Sequence, residues 1–118
     1  LPKWPPDTSA EGETQNLFHS FVKIKENGKL LGKSAIFRFT NKGAKTVDCL
    51  ACWYKSLDSK GNKLEETSYA MSKGYMKLAP KEKKDISIGW HVPKKGSNVE
   101  IGVYHIIYSD GTEWERDK

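Results

Sequence analysis

Arginine, cysteine and long apolar runs are all scarce in this chain, and each scarcity narrows what the chain can be. Only Arg38 and Arg116 among its 20 basic residues are arginine; the rest are lysine. The planar bidentate fork that reads phosphates and guanine edges is therefore nearly missing, which argues against specific nucleic-acid recognition even at a formal charge of +5. Scattered lysines instead hydrate a surface and discourage strand edges from pairing with other chains. The densest basic stretch, Lys73, Lys77, Lys81, Lys83 and Lys84, is interrupted by Glu82 and followed by Asp85, so it reads as a solvated face. No run approaches the roughly 18 apolar residues that cross a bilayer, and no charged-then-apolar leader opens the chain. Because it starts at Leu1 rather than Met, we expect that a segment has been removed.

Catalytic signatures are equally sparse. His19, His91 and His105 stand singly. There is no Gly-x-Ser-x-Gly elbow, His-Glu-x-x-His helix or phosphate-cradling glycine loop. The chain is expected not to be an enzyme and to need no cofactor. Cys49-Leu50-Ala51-Cys52 has the spacing of a redox dithiol or half a zinc site, but it lies in an apolar run with strand character. On a strand the two thiols point to opposite faces, too far apart to bridge, and no second ligand pair accompanies them. Two buried thiols are expected. Glu65-Glu66 alternate faces and Glu113 and Glu115 sit near a polar terminus, so both pairs read as solvation rather than acid–base machinery. Asp58-Ser59-Lys60-Gly61-Asn62 superficially suggests calcium, yet the central lysine opposes a cation, and a turn is enough to explain it.

What the chain does have is alternation. In Asp85-Ile86-Ser87-Ile88-Gly89-Trp90-His91-Val92 the apolar positions recur every second residue, the period of a half-buried β-strand. Similar runs recur between Gly, Pro, Asn and Asp turns, and no segment sustains helical spacing. We expect an all-β fold, an antiparallel immunoglobulin-like β-sandwich of seven or eight strands. Residues 1–16, with Pro2, Pro5 and Pro6 and then a polar stretch, read as an extended tail or linker, and 17–118 as the sandwich domain.

Turn chemistry proposes registers. Asn27-Gly28 has the signature of a type I′ hairpin, which would pair Glu26 with Lys29 and Ile24 with Leu31. Asp110-Gly111, read the same way, would place Trp114 opposite Ile107 and Glu113 opposite Tyr108. Val47 through Tyr54 is apolar on both faces and should be a central strand. With Val99, Ile101, Val103 and Ile107 facing the core, Tyr104, Ile106 and Tyr108 would form an aromatic stripe on the other face, able to hold a sugar ring or a protein partner. Alternatively the Trp4-Pro5-Pro6 tail, a neighbouring domain or a second copy covers that stripe. Trp4, Tyr104, Ile106 and Tyr108 are thus the expected contact residues.

The segments Phe37-Arg38-Phe39-Thr40-Asn41-Lys42-Gly43, Trp53 through Leu64, and Leu78-Ala79-Pro80-Lys81-Glu82 together resemble the FxLYD-type group of small bacterial immunoglobulin-like domains. That group has a strand ending in Asn-x-Gly, an aromatic strand, an Asp-x-x-Gly turn and a Pro-centred crossing loop; Lys81 stands where it frequently has Gly. The resemblance spans about residues 34–92. It implies a non-catalytic accessory module of extracytoplasmic or lipoprotein-like bacterial proteins and transfers no site. The expected function is therefore an interaction or spacer module of a larger or secreted, surface-associated protein. The alternatives are a carbohydrate-binding module using exposed aromatics, or lysine-mediated binding to anionic polymers. Two unpaired cysteines pull towards a reducing compartment, the resemblance towards the cell surface.

Overall fold

The computed structural model describes residues 10–26, 28, 32–92 and 98–116, with 89–92 described by their backbone. Eight strands follow one another: β1 (Glu11–Thr14), β2 (Leu17–Glu26), β3 (Lys33–Asn41), β4 (Val47–Leu57), β5 (Lys63–Ala70), β6 (Lys83–Val92), β7 (Asn98–Tyr108) and β8 (Glu113–Glu115). They form two antiparallel four-stranded sheets, β1-β2-β3-β6 and β5-β4-β7-β8, packed as a β-sandwich. β4 lies between β5 and β7, as its two apolar faces require.

Alternation drives the packing. Ala35, Phe37 and Phe39 of β3 meet Ile86 and Ile88 of β6 on one inner face, and Leu50, Cys52, Val103 and Ile106 belong to the same core. Phe37 and Phe39 are fully buried, each adding about 1.5–3 kcal/mol of transfer free energy. Met76 and Leu78 are fully buried in the connection after β5, which is tied to β4 by Met76 N–H donating to Asp48 O (3.0 Å) and by reciprocal bonds between Val47 and Leu78.

Several sequence-based expectations need correction. The stretch through residue 16 is not all tail: β1 pairs with β2 across a two-residue turn in which Gln15 (φ 48°) and Asn16 (φ 65°) are both left-handed. Glu26 pairs with Lys33 and Ile24 with Ala35, not with Lys29 and Leu31. The register is instead set by inward rings, Phe21 opposite Phe37 and His19 opposite Phe39, and the connection is correspondingly longer. Asp110-Gly111 does not form a two-residue loop either. Gly111 N–H donates to Tyr108 O and Tyr108 N–H to Thr112 O, giving a three-residue connection with Gly111 left-handed (φ 88°). The extra residue slides β8 by one, so Trp114 faces Ile106 and Glu113 faces Ile107.

Candidate functional site

The expected stripe of Tyr104, Ile106 and Tyr108 does not form, because a bulge in β7 divides it. Val103 pairs with Cys52 and His105 with Ala51, leaving Tyr104 as the additional residue. One extra residue reverses the facing of everything beyond it. Ile106 therefore turns inward and is 0 % exposed. Tyr104 stays on the outer face, half-buried, with a side-chain hydrogen bond to Ser68; burial, above all, pushes its hydroxyl pKa up. Tyr108 goes to the inner side at the end of the sandwich, opposite Val47 and packed against the core. Trp4 lies outside the described residues.

At that end three connections meet, and backbone bonds sew them together. Lys42 N–H, in the β3–β4 loop, donates to Asn16 O in the β1–β2 turn (2.7 Å), and Ser109 N–H, in the β7–β8 turn, donates to Thr46 O (3.0 Å). Asn41, at the end of β3, fixes the loop from inside. Its amide donates to Lys45 O (2.8 Å) and Leu78 O (2.9 Å), while its side-chain oxygen accepts from Gly43 N–H (2.9 Å).

Between these connections runs a groove of about 390 Å3. Its apolar wall is Tyr108 and Trp114, both half-buried and packed on the core. Gln15, Asn16, Asn41, Lys45, Thr112 and Glu113 complete its polar lining. β1 ends and β8 begins at this corner, so the turns that join them to β2 and β7 form the rim of the groove.

The electrostatics of the groove are locally balanced. The Lys45 ammonium lies 3.4 Å from Asp110, donates to Thr112 Oγ1 (2.8 Å) and sits over the Tyr108 ring at 5.3 Å. The Thr112 hydroxyl, followed by its backbone N–H, holds the Asp110 carboxyl below the ordinary carboxylate range. Burial and then the Asp110 charge push the Tyr108 hydroxyl pKa up. Glu113 accepts from or pairs with His105 Nε2 at 2.7 Å. Arg116 stacks over Trp114 at 5.6 Å.

Among the described residues, two further clefts are less convergent. One, about 710 Å3, lies at the opposite end beside Phe21, Asp58 and Asn98. There the Asp58 carboxylate is consumed by its own turn, accepting from Lys60 and Asn62 N–H. The other, about 610 Å3, borders Asp48, Cys49 and Lys73, where Asp48 accepts from Gly74 N–H. Both thiols are free and buried. Among the described residues no group of three or more His, Cys, Asp or Glu is placed to hold a metal ion, and no helix is long and apolar enough to cross a membrane.

Sequence reasoning found Tyr108 but not its neighbours. Gln15, Asn16, Lys45 and Thr112 carry a weaker signal, namely that turn-rich connections at one end of a rigid scaffold are where binding surfaces collect. Comparison of the chain with family models, with curated proteins and with solved structures finds no match.

Proposed function

We propose that this chain is a non-catalytic immunoglobulin-like interaction module of a secreted or surface-associated bacterial protein, and that it engages its ligand or partner through the groove at its loop end. The observation that carries this reading is the meeting of Tyr108 and Trp114 with short polar side chains from three connections that are themselves hydrogen-bonded together. Rigid aromatic surface flanked by convergent polar groups is the usual composition of a binding cleft.

Connectivity supports the immunoglobulin-like assignment. β3 lies beside β6 and β4 beside β7, the non-sequential neighbours that Greek-key crossovers produce. The resemblance to FxLYD-type domains gains support from the way its segments meet. Asn41 bonds both to Gly43 N–H and to Leu78 O, and Lys81 N–H donates to Asn41 O, so the Asn-x-Gly and Pro-centred segments form one corner. The thiols no longer argue against an oxidising compartment, because both are buried and alternation puts them on opposite sides of β4.

The test is 1H–15N NMR of the whole chain against a set of small polar and aromatic fragments. Shifts are expected to cluster at 15–16, 43–45 and 108–114. Hits spread over the surface, or gathered at either of the other clefts, would overturn the assignment of the groove.

A further inference from the structure

We infer that the groove takes a neutral sugar, a unit of one or two pyranose rings, an inference that rests on the groove being the contact site. Size comes first: about 390 Å3 lies at the low end of the roughly 300–1,000 Å3 spanned by small-ligand clefts. That volume suits a small molecule rather than a folded partner.

Chemistry then selects among small molecules. A pyranose presents flat C–H faces and a rim of hydroxyls, each of which both donates and accepts. It is held by an aromatic surface together with groups of mixed hydrogen-bonding sense. Tyr108 and Trp114 supply the surface, which a sugar would share with the Lys45 ammonium over Tyr108 and the Arg116 guanidinium over Trp114. Gln15 and Asn16 supply exposed amides on a turn held rigidly by the Lys42–Asn16 backbone bond, and Thr112 supplies a hydroxyl.

Charge decides against an anionic ligand. The chain as a whole is basic, but the charged residues lining the groove are one lysine and one glutamate. Lys45 is already paired with Asp110. A phosphate or carboxylate entering here would approach Glu113 while competing with Asp110 for the ammonium, so the groove offers an anion no net attraction. An uncharged polyol avoids that penalty and still finds the Gln15 and Asn16 amides on the rim.

The experiment titrates the full chain, followed by 1H–15N NMR, with methyl glucoside, methyl galactoside, N-acetylglucosamine, maltose and cellobiose. Glucuronate and glucose 6-phosphate serve as anionic controls. At least one neutral sugar should shift the groove amides at millimolar concentration, and added salt should leave its affinity unchanged. Ala44→Trp, an exposed position at the groove, should weaken binding by roughly tenfold or more with the melting temperature retained. Asn16→Gly keeps the left-handed backbone, removes the amide, and provides a second reading should the tryptophan variant misfold; it too should weaken binding. Silence from every neutral sugar, or tighter binding of the anionic controls that fades with salt, would overturn the inference. If fragments still cluster in the groove while sugars do not, only the sugar class falls; if fragments bind elsewhere, the site falls with it.

Discussion

Asn41 shows how much of a corner one buried amide can hold. Both of its side-chain N–H groups donate to carbonyls, its oxygen accepts, and its backbone exchanges bonds with Lys81 N–H and Glu82 O. Asn41→Asp keeps the shape but turns a double donor into an acceptor facing Lys45 O and Leu78 O. We expect a loss of about 2–4 kcal/mol in urea unfolding. The loss should shrink as the pH falls, because protonating the buried carboxyl removes its charge and restores one donor. An unchanged midpoint at neutral pH would show that the amide is dispensable. Only part of this role is legible in the sequence. Asn-x-Gly announces a turn, and the bond to Lys45 O lies within it, whereas the bond to Leu78 O depends on a chain segment 37 residues away, which local pattern cannot place.

At the scale of elements, alternation identified the strands and single extra residues defeated the faces. Val22 in β2 and Tyr104 in β7 are both bulged, and each rephases its strand so that Ile24 and Ile106 return to the core. Nothing in Val103-Tyr104-His105-Ile106 marks the insertion, since each phase leaves apolar residues on both sides. The hairpins show the same limit. Asp58 to Asn62 and Tyr108 to Thr112 close with identical backbone bonds around a left-handed glycine, although the second reads in the sequence as a two-residue loop. The second turn makes a pH prediction. The Asp110 carboxyl titrates below its ordinary range, held first by the Thr112 hydroxyl and then by the Thr112 N–H. The stabilisation it provides is thus present above the unfolded value near 3.9 and is lost as pH falls through the lower folded value. The Thr112 amide resonance should titrate below about pH 3.9, and the Trp114 signals at the groove should follow it. A Thr112 midpoint at or above the free carboxylate value would contradict the turn geometry.

For the whole molecule, the decisive feature is that two sheets enclose a single core and leave a groove where the β1–β2 and β7–β8 turns meet at one corner. The same closure that leaves a groove there seals the thiols elsewhere. Cys52 is fully buried, and desolvation pushes its pKa up to about 12. Cys49 is 3 % exposed, and its pKa is also raised, by burial first and then by the Asp48 carboxylate. Since the thiolate is the reactive form, both cysteines should be slow towards iodoacetamide at neutral pH, with Cys52 the slower. The route to reaction differs between them. Cys49 borders the cleft shared with Met71, Lys73 and Gly74, so displacing that one connection exposes it. Cys52, facing Val103 across β4 and β7, needs those paired strands to separate. Native-state labelling followed by mass spectrometry should therefore show Cys49 reacting through a local opening that responds weakly to urea, and Cys52 reacting only with the steep urea dependence of global unfolding. Equal rates and equal urea dependence at both positions would mean that the connection after β5 opens only with the sandwich itself. Rapid alkylation of Cys52 in the absence of urea would contradict the inner face assigned to it, and with that face the register on which Ile106, Tyr108 and the groove depend.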